Sequence, residues 1–241
     1  MNRPRAFARG AAVAVLLLLL AAAFIDLGIW QIERRAWKHE LIASVEARVH
    51  RPPVDAPGPA EWPRITPEHD AYTHVRLAGR YLPESDTRVR AVTDLGAGYW
   101  VMSPLDTGRF IVLINRGFVP QGVKPAPVPE GQVAVTGLLR TTEPHGGFLR
   151  ANDPERENWY SRDVAAIASA RNLRHAAPYF IDAAATSGNG GYPVGGLTVV
   201  RFSDNHLVYA LTWFALAALS LVGVWRLAAR SAHSDTGFMP L

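Results

Sequence analysis

A histidine opens the second of two long apolar stretches, and aromatic side chains follow it at helical spacing. In Asn205-His206-Leu207-Val208-Tyr209-Ala210-Leu211-Thr212-Trp213, the positions His206, Tyr209, Ala210 and Trp213 share one helix face at i, i+3, i+4 and i+7. Asp204 or Asn205 is placed to cap the helix start. A neutral imidazole binds metals and is a common axial ligand of haem iron. Ala210 leaves a notch where a flat macrocycle could approach. The first apolar stretch closes on a similar signature, Leu27-Gly28-Ile29-Trp30-Gln31. Arg34, Arg35 and Arg201 stand just outside the two stretches, where guanidinium groups suit carboxylates such as haem propionates. Plainer readings compete: histidine, tryptophan and tyrosine at a span end are ordinary members of an aromatic belt, and interfacial arginines snorkel. Asp26 is costly inside an apolar span unless it faces protein or water.

The elements that must hold these residues are two membrane spans and one domain. Residues 10–29 and 206–227 are each long enough to cross a hydrocarbon core of about 30 Å. They divide the chain into a short N-terminus at 1–9, a middle portion at 30–205 and a tail at 228–241. Arg3, Arg5 and Arg9 precede the first span, and Arg226 and Arg230 flank the end of the second, which predicts both termini on the cytoplasmic side and the middle portion across the membrane. Arg34, Arg35 and Lys38 weaken that asymmetry. The basic start, the Leu16–Leu20 core and Ala21-Ala22-Ala23 also fit a cleavable signal peptide, which stays open as an alternative.

Within the middle portion, residues 30–49 contain no Gly or Pro and read as helix carried beyond the membrane, with Trp37, Leu41 and Val45 along one face and expected to pack on the domain. Residues 50–67 are proline-rich and read as a stiff linker. Residues 68–205 carry six strand-like runs, at 72–77, 99–102, 110–114, 132–139, 179–181 and 197–202. Pro104-Leu105-Asp106-Thr107-Gly108 reads as a hairpin turn. One helix is expected at 162–171 with Ser161 as its N-cap, and 187–196 as a glycine-rich loop. The predicted fold is thus two transmembrane helices, N- and C-terminal, flanking an extracytoplasmic β-rich α+β domain, antiparallel and barrel- or sandwich-like.

Several functions are disfavoured. The net charge is +4 without a run of like charges, which argues against a nucleic-acid partner. With no cysteine there are no disulfides, thiolate metal sites or cysteine nucleophile. No G-x-S-x-G, H-E-x-x-H, P-loop or dinucleotide glycine fingerprint occurs, so the chain is read as a non-enzyme. A sensor would need a larger output domain than the tail after Leu227 offers.

Ordered motifs resemble the Surfeit locus protein 1 family, whose members assist the biogenesis of cytochrome c oxidase. These are Leu27-Gly28-Ile29-Trp30-Gln31-Ile32-Glu33-Arg34-Arg35-Ala36-Trp37-Lys38, Asn115-Arg116-Gly117-Phe118-Val119-Pro120, Gly137-Leu138-Leu139-Arg140, Asn152-Asp153-Pro154 with Trp159-Tyr160-Ser161-Arg162-Asp163, and Asn205 to Phe214. The resemblance implies two membrane helices around an outer domain, and binding of haem a for delivery to the oxidase catalytic subunit. It makes His206 the expected iron ligand and Trp30 and Gln31 the family's tryptophan-glutamine pair. Arg34, Tyr209 and Trp213 complete the expected cofactor-binding set. Expected partners are the oxidase catalytic subunit, haem a synthase and the lipid bilayer. The expected location is the bacterial inner (plasma) membrane, or the mitochondrial inner membrane in a eukaryote. Asp204 departs from the family's asparagine and adds a negative charge beside the site. The alternative is a structural partner of an oxidase subunit that holds no cofactor.

Overall fold

The computed structural model describes residues 3–147, 149–185, 191–197 and 204–235. In chain order the elements are α1 (Arg3–Val49), β1 (Val54–Asp55), α2 (Pro67–Asp70), β2 (His74–Tyr81), β3 (Thr87–Thr93), β4 (Gly96–Asp106), β5 (Ile111–Pro120), β6 (Val133–Thr141), α3 (Val164–Ala170), β7 (Ala176–Ala183) and α4 (His206–Asp235). They form two compact units: a helix pair made of α1 as far as Ala43 with α4, and a β-domain that starts at Ser44.

Both long helices are apolar enough to cross a membrane, over Ala11–Val49 and His206–Ala229. Only 11% and 17% of their most apolar windows are buried within the chain, so neither is the core helix of a soluble fold. α1 runs unbroken through Ala21-Ala22-Ala23 and on to Val49, and stops before Pro52-Pro53, where a ring without an N–H cannot continue it. Trp37 is 50% exposed and Val45 is 3% exposed.

In the β-domain, β2, β6, β7, β5 and β4 follow one another round a ring, which the β2–β4 pairing closes. An odd number of strands cannot alternate in direction all the way round, so at least one neighbouring pair must be parallel. That pair is β5 with β7; the other pairs of the ring are antiparallel. The expected barrel is therefore present, but mixed rather than purely antiparallel. Closure needs β2 and β4 to approach closely at Gly79, where a Cβ would lie 2.5 Å from the carbonyl oxygen of Asp106.

Period-two alternation assigns the core. On β7, Tyr179 and Ile181 join Val75, Leu105, Ile114 and Leu139 in one cluster. Phe180 points the other way, into a second cluster with Trp159 and with Val164 and Ile167 of α3. Each such side chain stabilises the fold by roughly 1.5–3 kcal/mol when fully buried.

The boundaries differ from expectation in informative ways. Pro104 and Leu105 belong to β4, and the turn begins only at Thr107, whose backbone amide donates to the Phe110 carbonyl. β4 leaves β3 after Met102 and pairs with β2 from Leu105, so the missing N–H of Pro104 falls where the strand changes neighbours. Asp163, not Ser161, caps α3 by accepting from the Ala166 amide at 3.1 Å. The Ser161 hydroxyl instead accepts from the Gly146 amide and the Asn152 side chain. β3 was not anticipated, although Thr87 and Val89 are buried while Arg88 and Arg90 are exposed, a strand-like alternation. The proline-rich segment packs on the barrel: Trp62 meets Phe110 edge-on at 5.6 Å, and the Tyr179 hydroxyl donates to the Pro57 carbonyl. Of the strand expected at 197–202, all but Leu197 lies outside the described residues, and so do Arg201 and residues 187–190 of the glycine-rich loop.

Candidate functional site

Two helices without a water-driven hydrophobic force between them associate through small residues and close packing. On α1, the residues Leu17, Ala21, Phe24, Gly28, Gln31 and Arg35 recur at alternating steps of four and three. α4 answers with His206, Ala210, Trp213, Phe214, Ala217 and Gly223, and Asp204 lies just ahead of it. Ala21, Ala210 and Ala217 are buried. The Phe214 ring sits over Gly28, where a Cβ would lie 2.6 Å from it. Phe24 stacks on Trp213 with centroids 5.7 Å apart.

This seam delivers His206 to Gln31. The His206 Nδ1 lies 2.8 Å from the Gln31 Oε1, across 175 residues of sequence. An amide oxygen only accepts, so Nδ1 carries the proton and donates. A ring with its one proton on Nδ1 keeps a lone pair on Nε2, to which no described residue bonds. Fixing one ring nitrogen by a hydrogen bond so that the other can ligate is how proteins prepare a metal-binding histidine.

One turn further out, Asp204 gathers charge. Its carboxylate lies 2.7 Å from the His39 Nε2 and 3.2 Å from the Arg35 Nε, and accepts from the His206 amide. The His39 hydrogen bond above all, then the His206 amide and Arg35, hold the carboxyl well below its usual range, at about 2. The negative charge that Asp204 brings beside the histidine is thus met by the Arg35 guanidinium and by a hydrogen bond to His39. Sequence reasoning missed this cluster, although Gln31, Arg35 and His39 are spaced i, i+4, i+8 along one face of α1.

The remaining expected site residues are spread around this centre. Trp213 is stacked on Phe24 in the seam. Tyr209 is 55% exposed and Trp30 52% exposed, both away from the seam. Arg34 is exposed and lies 4.0 Å over the Trp37 ring. Arg201 lies outside the described residues. Among the described residues no cluster of three or more His, Cys, Asp or Glu could hold a bare metal ion.

Residues 18–218 match the sequence model of the SURF1 family. The chain belongs to the SURF1 family. Members of that family are known as cytochrome c oxidase assembly factors. The chain is 35% identical to a SURF1-like protein of Monosiga brevicollis over 95% of its own length and 92% of that protein's. It is 36% identical to Surfeit locus protein 1 of Mus musculus, over 84% of this chain and 71% of the mouse protein. With the Homo sapiens protein of the same name, identity is also 36%, over 85% and 73% respectively.

In this SURF1-family chain, the motifs of the β-domain converge on a buried polar network. Asp182, 4% exposed, accepts from the Asn115 side-chain Nδ2 at 2.7 Å, from Arg140 at 2.8 Å and from Arg162 at 3.2 Å. Arg162 also pairs with Glu143 and lies 4.7 Å over the Phe180 ring. Burial opposes the charge on Arg162, but the Glu143 hydrogen bond and the nearby Asp182 outweigh it and raise its pKa. Among the described residues, Arg140 and Arg162 face the carboxylates of Glu143 and Asp182. The network ties β5, β6 and β7 to the segment entering α3.

Proposed function

We propose that this protein is a membrane-bound assembly factor that binds haem a at His206 and assists its insertion into the catalytic subunit of cytochrome c oxidase. The observation that carries the reading is the Gln31–His206 hydrogen bond, which leaves the Nε2 lone pair uncommitted at the end of a membrane helix. The donor set fits the group. Haem a supplies an iron that takes an imidazole as axial ligand. His206 would hold the iron, Arg34 offers an exposed guanidinium to propionates, and Tyr209 offers exposed aromatic surface at the same interface. In this reading the protein acts as a carrier, and its residues bind and orient the haem. Its place is the bacterial inner membrane, or the mitochondrial inner membrane, with the oxidase catalytic subunit and haem a synthase as neighbours.

The test is the absorption spectrum of the full chain purified from cells that make haem a. His206→Ala is expected to lose haem, or to hold it with an altered spectrum, while insertion and β-domain melting stay unchanged. His50→Ala, whose ring bonds the Glu46 carbonyl, is the control. A wild-type haem content in His206→Ala would refute the ligand assignment and favour a cofactor-free structural partner. The basic flanks also support a topology with both termini on the cytoplasmic or matrix side. Reporters fused after Pro125 and after Ala232 are expected on opposite sides; the same side for both would overturn it.

A further inference from the structure

α1 presents a second stripe on the side opposite its partner helix. Asp26, Trp30, Glu33 and Trp37 recur at steps of four, three and four, and the seam residues Phe24, Gly28, Gln31 and Arg35 each stand two positions, about half a turn, from one of them. All four are exposed. An open groove of about 420 Å³ follows the stripe, lined by Asp26, Leu27, Ile29, Trp30 and Glu33.

Asp26 is the odd member. It precedes Gln31 by five residues, so it lies about 7.5 Å deeper along the helix than the His206 level. Apolar side chains surround it at that depth, Ile25 and Ile29 on α1 and Val208 and Leu211 on α4, and the exposed Thr212 hydroxyl is engaged within its own helix, donating to the Val208 carbonyl. Asp26 makes no hydrogen bond or ion pair with any described residue. Ionisable groups inside a span are expensive and almost always face protein, where they are paired. Here the helix pair turns the carboxylate outward.

We propose that this stripe is the docking face for a transmembrane helix of another membrane protein, one that carries an arginine or lysine at the depth of Asp26. Charge complementarity selects that occupant. A second copy of this chain cannot supply the cation, because residues 11–33 and 207–225 contain no Lys, Arg or His. A haem is excluded from the stripe by its own propionates, which carry the same sign as Asp26 and Glu33. Trp30 gives the flat apolar surface between the two carboxylates, and Glu33 meets a second cation nearer the water. The proposal is independent of haem binding.

The cysteine-free chain allows a single dye at Glu40→Cys, an exposed position beyond the apolar stretch. Energy transfer is measured in phosphatidylcholine vesicles to a synthetic apolar transmembrane peptide bearing one arginine two turns from its end, or leucine there. The full chain is expected to bind the arginine peptide on the order of tenfold more tightly than the leucine peptide, the scale of a polar contact between membrane helices. Asp26→Asn abolishes the preference without changing haem content, and Asp26→Lys transfers it to a peptide bearing aspartate. Equal binding of both peptides by the unaltered chain, or a preference that survives Asp26→Asn, overturns the proposal. So does energy transfer between two labelled copies that depends on Asp26, which would give the stripe to self-association.

Discussion

Replacing Gln31 by leucine removes one acceptor and little volume, which isolates the role of the bond to His206. At 2.8 Å between half-buried groups, a neutral hydrogen bond contributes about 0.5–1.5 kcal/mol. Its loss also frees the ring to turn and to move its proton to Nε2, the nitrogen that would ligate iron. Outer partners of ligating histidines cost 10–100-fold in affinity when removed. The acceptor here is an uncharged amide and the site is partly open to water, so the low end applies. Gln31→Leu is therefore expected to weaken haem binding by about tenfold, or about 1.4 kcal/mol. Gln31→Glu offers a carboxylate to the same Nδ1–H, and a charge-assisted bond is shorter and stronger. It is expected to hold haem at least as well as wild type, with a shifted absorption band from a more electron-rich imidazole. The assay is haem titration of the full chain in detergent, followed by absorbance, with thermal melting measured in parallel. Melting is expected to stay put, because Phe24–Trp213 and Gly28–Phe214 still hold the seam. Unchanged haem affinity in Gln31→Leu would refute the reasoning. A fall in affinity matched by a fall in melting temperature would make Gln31 a packing residue instead.

Asp182→Ala takes the buried carboxylate from Arg140 and Arg162, whose side chains are only 18% and 12% exposed, and leaves them Glu143 alone as an acidic partner among the described residues. Breaking a buried pair costs about 3–5 kcal/mol, and Glu143 still pairs with Arg162, so about 3 kcal/mol is expected. For a domain of this size that is a fall of roughly 6–12 °C in melting temperature, with haem binding retained; a shift under about 2 °C would remove the network from the list of structural ties. The Asp204 carboxyl sits at about 2 in the folded chain against an ordinary 3.8. Its contribution is complete above that ordinary value and is lost as pH falls through about 2. Protection of the His206 amide, corrected for intrinsic exchange, is expected to hold at neutral pH and to collapse over that window, and the collapse is expected to be absent in Asp204→Asn.

Much of the architecture was legible from local pattern. Two runs of apolar residues are enough to identify candidate spans, because length and composition alone set whether a helix can cross hydrocarbon. Helix beyond the first span followed from a stretch free of Gly and Pro, and β7 from the Tyr-Phe-Ile run. Family membership was legible as well, since ordered motifs survive in one dimension. Trp37 was expected to lie buried under a helical stripe, yet it stays half exposed with Arg34 on its face. A periodic stripe says which residues share a face and does not say what covers that face.

By itself, the amino-acid order determined the spans, most strands, the family and the choice of His206 as the residue to watch. Only tertiary structure decided that β2 closes on β4, that β5 and β7 run parallel, and that Asn115, Arg140, Arg162 and Asp182 meet. It alone decided that His206 is held by Gln31, and that Asp204 is answered from α1 by Arg35 and His39. Secondary structure is set by neighbours a few residues away, so its signals lie within a short window. A hydrogen bond between residues 31 and 206 depends on how two helices pack over several turns, and that packing is a property of surfaces rather than of spacing.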